Sequence, residues 1–134
     1  MSGERDLTTL LSGMRPELND GRFVFCTLPG TDVPEGLDPV ATVREPEGLT
    51  LVLPQEAADR AGLGYDHVTG WITLRVHSAL DAVGLTGAFA AELAAHGLSC
   101  NVIAGFHHDH IFVPADRAAE AVAVLEQLAV RSAR

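Results

Sequence analysis

The sequence predicts an α+β protein made of two small units, each an antiparallel sheet with helices on one face. Three observations carry that expectation. In the stretch 71–113, Ile72, Leu74 and Val76 alternate with Thr73, Arg75 and His77, as a strand with one buried face requires. Behind it, Leu85, Phe89 and Leu93 recur every fourth residue along a helix that Gly97 is placed to end. Two short apolar runs, 100–104 and 110–113, and an Ala-rich helical stretch then give the order strand, helix, strand, strand, helix. That is the ferredoxin-like order with its last strand unaccounted for, and it puts a small sheet under one helical layer.

The first half is read element by element. Leu7, Leu10, Leu11 and Met14 form a helical stripe over residues 6–14, with Asp6 available as its cap. Residues 15–21 are expected to be a connector ending in the turn cluster Asn19, Asp20, Gly21. Residues 22–28 form a strand in which Phe23 and Phe25 oppose Val24 and Cys26, so both faces are expected to be covered. Residues 29–39, rich in Pro, Gly and Asp, read as an exposed loop. Strands at 40–44 and 49–53 make a hairpin around Pro46 and Gly48. Pro54 then opens a helix to residue 61, where its missing N–H is harmless in the first turn, and Gly62 or Gly64 stops it.

Residues 62–70 are the expected joint, which divides the chain into domains at 1–66 and 67–134. The final helix is expected over 116–130, where Ala118, Ala121, Val122, Leu125, Leu128 and Ala129 fall at three- and four-residue spacings. Both halves contain paired strands followed by a helix, a pattern of divergent duplication without an exact repeat. The closing strand of the second half has two candidate sources, the first half or a partner subunit.

Composition narrows the function. Nine arginines, no lysine and 18 acids give a net charge of −9, so no basic face is available for nucleic acid. No apolar run approaches a membrane span and no basic-then-apolar start marks a secretory signal, so a cytoplasmic protein is expected. Cys26 and Cys100 each sit within an apolar strand pattern and read as buried free thiols.

Two clusters carry candidate chemistry. The first is the strand exit from His77 and Ser78 through Asp81, Val83, Gly84, Leu85, Thr86 and Gly87. Its glycines allow close backbone approach, the helix-start N–H groups can receive a carboxylate, and Asp81 can accept an amine. The bland reading has Asp81 capping a turn and the glycines admitting tight packing. The second cluster is Phe106, His107, His108, Asp109 and His110, where His108 and His110 can share a face and Asp109 can hydrogen-bond a ring nitrogen. Nothing in the spacing brings His67, His77 or His96 to it, so no metal site or cofactor is expected. A Ser78, His108, Asp109 triad lacks a nucleophile elbow, and adjacent His108 and Asp109 are poorly placed as base and orienter.

Three stretches, EPEGLTLVLP at 45–54, GWITLRVHSALDAVGLTGAFAAELAAHG at 70–97 and LSCNVIAGFHHDHIFVP at 98–114, resemble small bacterial proteins with two ACT-type domains in tandem. The resemblance implies ferredoxin-like ACT domains that bind an amino acid at a domain or subunit interface. Carried over by position, it implicates Ser78, Asp81, Val83, Gly84, Leu85 and Thr86, with Asn101 and Ile103 on the next strand. His77, His107, His108, Asp109 and His110 are accessory candidates, since the histidine cluster is no general ACT ligand signature. The expected protein is therefore a noncatalytic, homo-oligomeric amino-acid binder. The alternatives are an interaction module with no metabolite, or a histidine- or metal-dependent enzyme using His107 to His110.

Overall fold

The structure, a computed structural model, describes residues 6–76, 79 and 81–133. In chain order its elements are α1 (Leu7–Gly13), β1 (Arg15–Leu18), β2 (Phe23–Leu28), β3 (Ala41–Glu45), β4 (Gly48–Pro54), α2 (Gln55–Arg60), β5 (Val68–Arg75), α3 (Leu85–Ala95), β6 (Asn101–Ala104), β7 (Asp109–Pro114) and α4 (Ala118–Ser132), the last preceded by a 3-10 turn at Ala115–Arg117. These elements group into two compact units, one of residues Gly21–Thr69 and one joining Met1–Asp20 to Gly70–Arg134.

In the unit Gly21–Thr69 the strands lie in the order β3-β4-β2-β5, with β5 contributing Val68 and Thr69. All its pairings are antiparallel: Phe23 faces Pro54 and Leu28 faces Leu49, while Glu45 meets Gly48 across the two-residue turn of the hairpin. Leu49, Leu51 and Leu53 point to one side, where they pack with Val24, Cys26 and Ala58. Phe23 and Val52 are buried on the other side, so both faces of β2 and β4 are covered, as the sequence of β2 predicts. This is the ferredoxin-like strand order with one helix missing. A helix should link the first two strands, yet residues 29–40 are an irregular loop, tied at its end by the Val40 N–H to the Val52 carbonyl at 2.7 Å.

The other unit has β5-β7-β6 as neighbours with β1 on the far side of β5. β1 corrects the sequence reading, which made 15–21 a connector. Arg15 pairs with Arg75 and Leu18 with Ile72, antiparallel, so this segment is the closing strand that the second half lacks. It escaped recognition because four residues, one of them Pro16, show no alternation. Proline is tolerated on an edge strand, where no ladder N–H is needed on the open side.

The core of this unit lies between one sheet face and three helices. Leu10 and Met14, Leu85, Phe89 and Leu93, and Ala121, Leu125 and Leu128 meet Ile72, Leu74, Ile111 and Val113. Phe89, Leu125 and Ile111 are fully buried, each stabilising the fold by roughly 1.5–3 kcal/mol. The opposite sheet face carries Trp71, Thr73, His110 and Phe112, and Thr73 and Phe112 are buried there too. Asp6 caps α1 by accepting the Thr9 N–H at 2.9 Å. The last helix begins as a 3-10 turn and continues two residues beyond its expected end.

Candidate functional site

The site is built where α3 begins. Gly84 precedes the helix at φ 101°, a left-handed conformation that strains any side chain, and a Cβ there would lie 3.1 Å from Leu7 Cδ2. The N-cap residue, Gly84, has no side chain with which to cap α3, and no acid stands in its first turn. Leu85, Thr86 and Gly87 therefore present N–H groups without intrahelical partners, at the positive end of an 11-residue helix. A cavity of about 140 Å³ opens at this point, lined by Ala79, Ala82, Gly84, Leu85, Thr86, Gly87, Ala104 and Asp109.

Asp109 closes the cavity from the sheet. It sits on the same side of β7 as the core residues Ile111 and Val113, so the strand's two-residue period turns it toward the helices. It is only 7% exposed. Burial pushes its carboxyl above the usual carboxylate range, with the nearby His110 and His108 opposing that shift.

The histidines beside it are arranged for structure. The Trp71 indole N–H donates to His110 Nδ1 at 3.1 Å, and Thr73 Oγ1 lies 3.3 Å from the same nitrogen. Asn19 Nδ2 donates to Thr73 Oγ1 at 3.0 Å and to the Trp71 carbonyl at 3.2 Å. Because indole only donates, His110 Nδ1 must accept, and the neutral ring carries its proton on Nε2. Burial, reinforced by His108 and opposed by Asp109, holds the His110 pKa below the ordinary imidazole value. The turn before it is closed by the Gly105 N–H to the His108 carbonyl at 2.9 Å. A Cβ on Gly105 would come within 2.7 Å of that carbonyl oxygen and 3.1 Å of His110 Nε2, so the turn requires glycine. His107 is exposed, its ring 5.1 Å from that of Phe106. His108 is half-buried, with Nδ1 enclosed and without a hydrogen-bond partner among the described residues. Among the described residues no three His, Cys, Asp or Glu side chains converge as metal ligands, and His110 is committed to Trp71.

The structure thus sorts the sequence candidates into three places. Gly84, Leu85, Thr86 and Asp109 share the cavity. Asp81 and Val83 flank it on the exposed approach, Val83 with 83% of its surface in solvent. Asn101 and Ile103 pair in register with Phe112 and His110, on the sheet face away from the helices. His77 and Ser78 lie outside the described residues. Gly87, from the same candidate stretch, also lines the cavity, and Ala104 completes it without having been a site candidate. Ala104 has no chemistry to flag it, and only its register opposite Asp109 brings it there. Trp71, Thr73 and Asn19 were also missed, because a network joining residues 19, 71, 73 and 110 leaves no local signature.

Larger depressions occur elsewhere. One along α4, about 420 Å³, is lined by Ala123, Glu126, Gln127, Val130 and Arg131. Another, about 330 Å³, lies beside residues 34–37. Neither has a free helix start or a buried ionisable group. Cys26 is buried and Cys100 half-buried, both free, and burial pushes the Cys100 thiol up to about 11, away from nucleophilic use at neutral pH. Among the described residues no helix is long and apolar enough to cross a membrane.

Comparison with known proteins agrees with this architecture. A family model described as an ACT domain matches residues 2–70, and a second model, also described as an ACT domain, matches residues 66–127. The crystal structure of a Vibrio cholerae protein of unknown function is 52% identical, with a TM-score of 0.82 over 92% of this chain and 95% of that one. Protein Atu0741 of Agrobacterium tumefaciens is 18% identical, with a TM-score of 0.71 over 87% and 89% of the two chains. The ligand-free regulatory subunit of aspartate kinase from Thermus thermophilus is 10% identical, with a TM-score of 0.63 over 84% and 95%. At these two lower identities the likeness is one of fold. None of the curated proteins matches the chain.

Proposed function

This chain belongs to the ACT-domain family, and on that premise we propose that it is a noncatalytic regulatory protein that binds an amino acid at the start of α3. One observation carries the reading: an uncapped helix start opens into a cavity together with a buried carboxyl. The N–H groups of Leu85, Thr86 and Gly87 would receive the ligand carboxylate. Ser78, Asp81, Val83, Asn101 and Ile103 complete the proposed contacts, the last two through a subunit interface at the exposed β6 edge. The protein would work as a cytoplasmic homo-oligomer, with 1–66 and 67–134 as its domains in sequence. Ligand binding to one packing of the subunits would shift the population toward it. The regulatory aspartate kinase subunit supports the reading by fold alone.

The test is a thermal-shift screen of the twenty amino acids, with hits confirmed by calorimetry. A saturable rise with one amino acid or a small related set is expected, because a ligand that binds only the folded state raises its melting temperature. Affinity unchanged in folded Asp81→Asn and Gly84→Val variants would remove the loop from the site. No response to any amino acid would leave the interaction-module reading in its place.

A further inference from the structure

The cavity holds two unsatisfied features of opposite character. On the helix wall are N–H groups that the N-cap residue, Gly84, has no side chain to cap. On the sheet wall is Asp109, more than nine-tenths buried, with no hydrogen-bond partner among the described residues. Among the described lining residues Ala79, Ala82, Ala104 and Leu85 are apolar, and the Thr86 hydroxyl, although part of the lining, makes no hydrogen bond to Asp109. The Asp109 oxygens face the cavity and are not sealed from it, so a largely buried carboxyl without a protein donor takes its hydrogen bonds from whatever enters there. Its retention at the floor of a cavity points to a partner that arrives from outside.

The chemistry of that partner follows from the two walls. A simple anion would meet the N–H groups but would be repelled by Asp109 once the carboxyl ionises. A metal ion would need several oxygen ligands, and among the described residues no second or third acid converges on Asp109. The ionisable groups facing Asp109 are His110 on its own strand and His108 in the turn before it, and His110 is already held by Trp71. A ligand with a carboxylate and an ammonium on adjacent atoms satisfies both walls at once. Size sets a further limit, since 140 Å³ is well below the roughly 300–1,000 Å³ of sites for drug-sized ligands.

We infer that Asp109 binds the ammonium group of a small α-amino acid whose carboxylate rests on the start of α3, so that this cavity selects glycine, alanine, serine or cysteine over larger side chains. The inference rests on the amino-acid reading above and deepens it. It moves the amine from Asp81 in the loop to a carboxyl on the sheet, and it fixes the ligand's size class.

The test is calorimetry on the full chain with glycine, L-alanine, L-serine, L-cysteine, L-leucine and L-phenylalanine, and with acetate and propionate as the first two without their amine. The intact chain is expected to bind one or more of the small amino acids at least tenfold more tightly than leucine, phenylalanine and the deaminated acids. Asp109→Asn keeps the shape and removes the charge. It is expected to weaken amino-acid binding at least tenfold while leaving acetate and propionate binding unchanged or, with the repulsion of the ionised carboxyl removed, stronger, closing the gap between the two classes. Binding of an amino acid with no such gap, undiminished binding in Asp109→Asn, or preference for leucine or phenylalanine would overturn the Asp109 assignment and leave amino-acid binding standing. Absence of binding by all twenty amino acids would overturn both. The deaminated acids probe the intact chain, so the outcome does not depend on the variant folding.

Discussion

The two units share a strand order and differ in what joins their strands. In Gly21–Thr69 the first connection is the irregular loop 29–40, and the one helix is the six-residue α2. In the unit formed by Met1–Asp20 and Gly70–Arg134 the equivalent connection contains α3, whose uncapped start faces Asp109. The lesson is that the ferredoxin-like frame alone makes no site. A site needs the crossover helix, because only a helix start concentrates free N–H groups and a partial positive charge at one point.

Core deletions should separate the units most strongly. Phe89→Ala, in the three-helix core, is expected to cost about 3–5 kcal/mol in urea unfolding. Leu51→Ala in the other core should cost about 2–5 kcal/mol. Two separate transitions in either variant would show that the units unfold independently; one shared transition would show that they fold together.

A smaller loss is expected from His110→Phe, which leaves the Trp71 N–H and the Thr73 hydroxyl without their acceptor. That should cost roughly 1–3 kcal/mol. It should also remove an acid-dependent loss of stability. The folded pKa of His110 is depressed, so below the ordinary imidazole value of about 6.5 the unfolded chain takes up its proton first, and stability falls as the pH drops. Melting temperatures compared at neutral and mildly acidic pH will show whether that limb disappears.

Gly84→Ala is expected to destabilise by about 1–2 kcal/mol, since alanine must adopt the left-handed conformation beside Leu7. Gly36, also at positive φ but in the loop of the other unit with open space around it, is the matched control. A greater loss at Gly36 than at Gly84 would contradict the packing of α3 against α1.

Asp109→Asn carries the opposite sign. The folded pKa is raised, so above the usual carboxylate range the unfolded chain has lost a proton that the folded chain still holds, and stability declines as pH rises through that window. The variant lacks this penalty. Its ligand-free melting temperature at neutral pH should exceed that of the parent and vary less between about pH 4 and pH 7. The smallest effect is expected at Glu17→Gln. Its carboxylate pairs with the Arg75 guanidinium at 2.6 and 3.1 Å but is half exposed, and screening should leave the melting temperature unchanged within error.

The sequence by itself determined the repeating elements, because their signals are local. Leu85, Phe89 and Leu93 announce α3, the leucine alternation at 49, 51 and 53 announces β4, and Pro54 marks the start of α2. It also located the glycine-bearing helix start and the histidine turn, where unusual residue types lie side by side. Tertiary structure alone decided that Arg15–Leu18 closes the sheet beside β5 and that Asp109 turns inward to α3 while His110 turns outward to Trp71. The physical reason is that a strand's two faces are distinguished only by what packs on them. The burial of Ile111 and Val113 against the helices fixed the register, and with it which of two neighbouring ionisable residues entered the cavity.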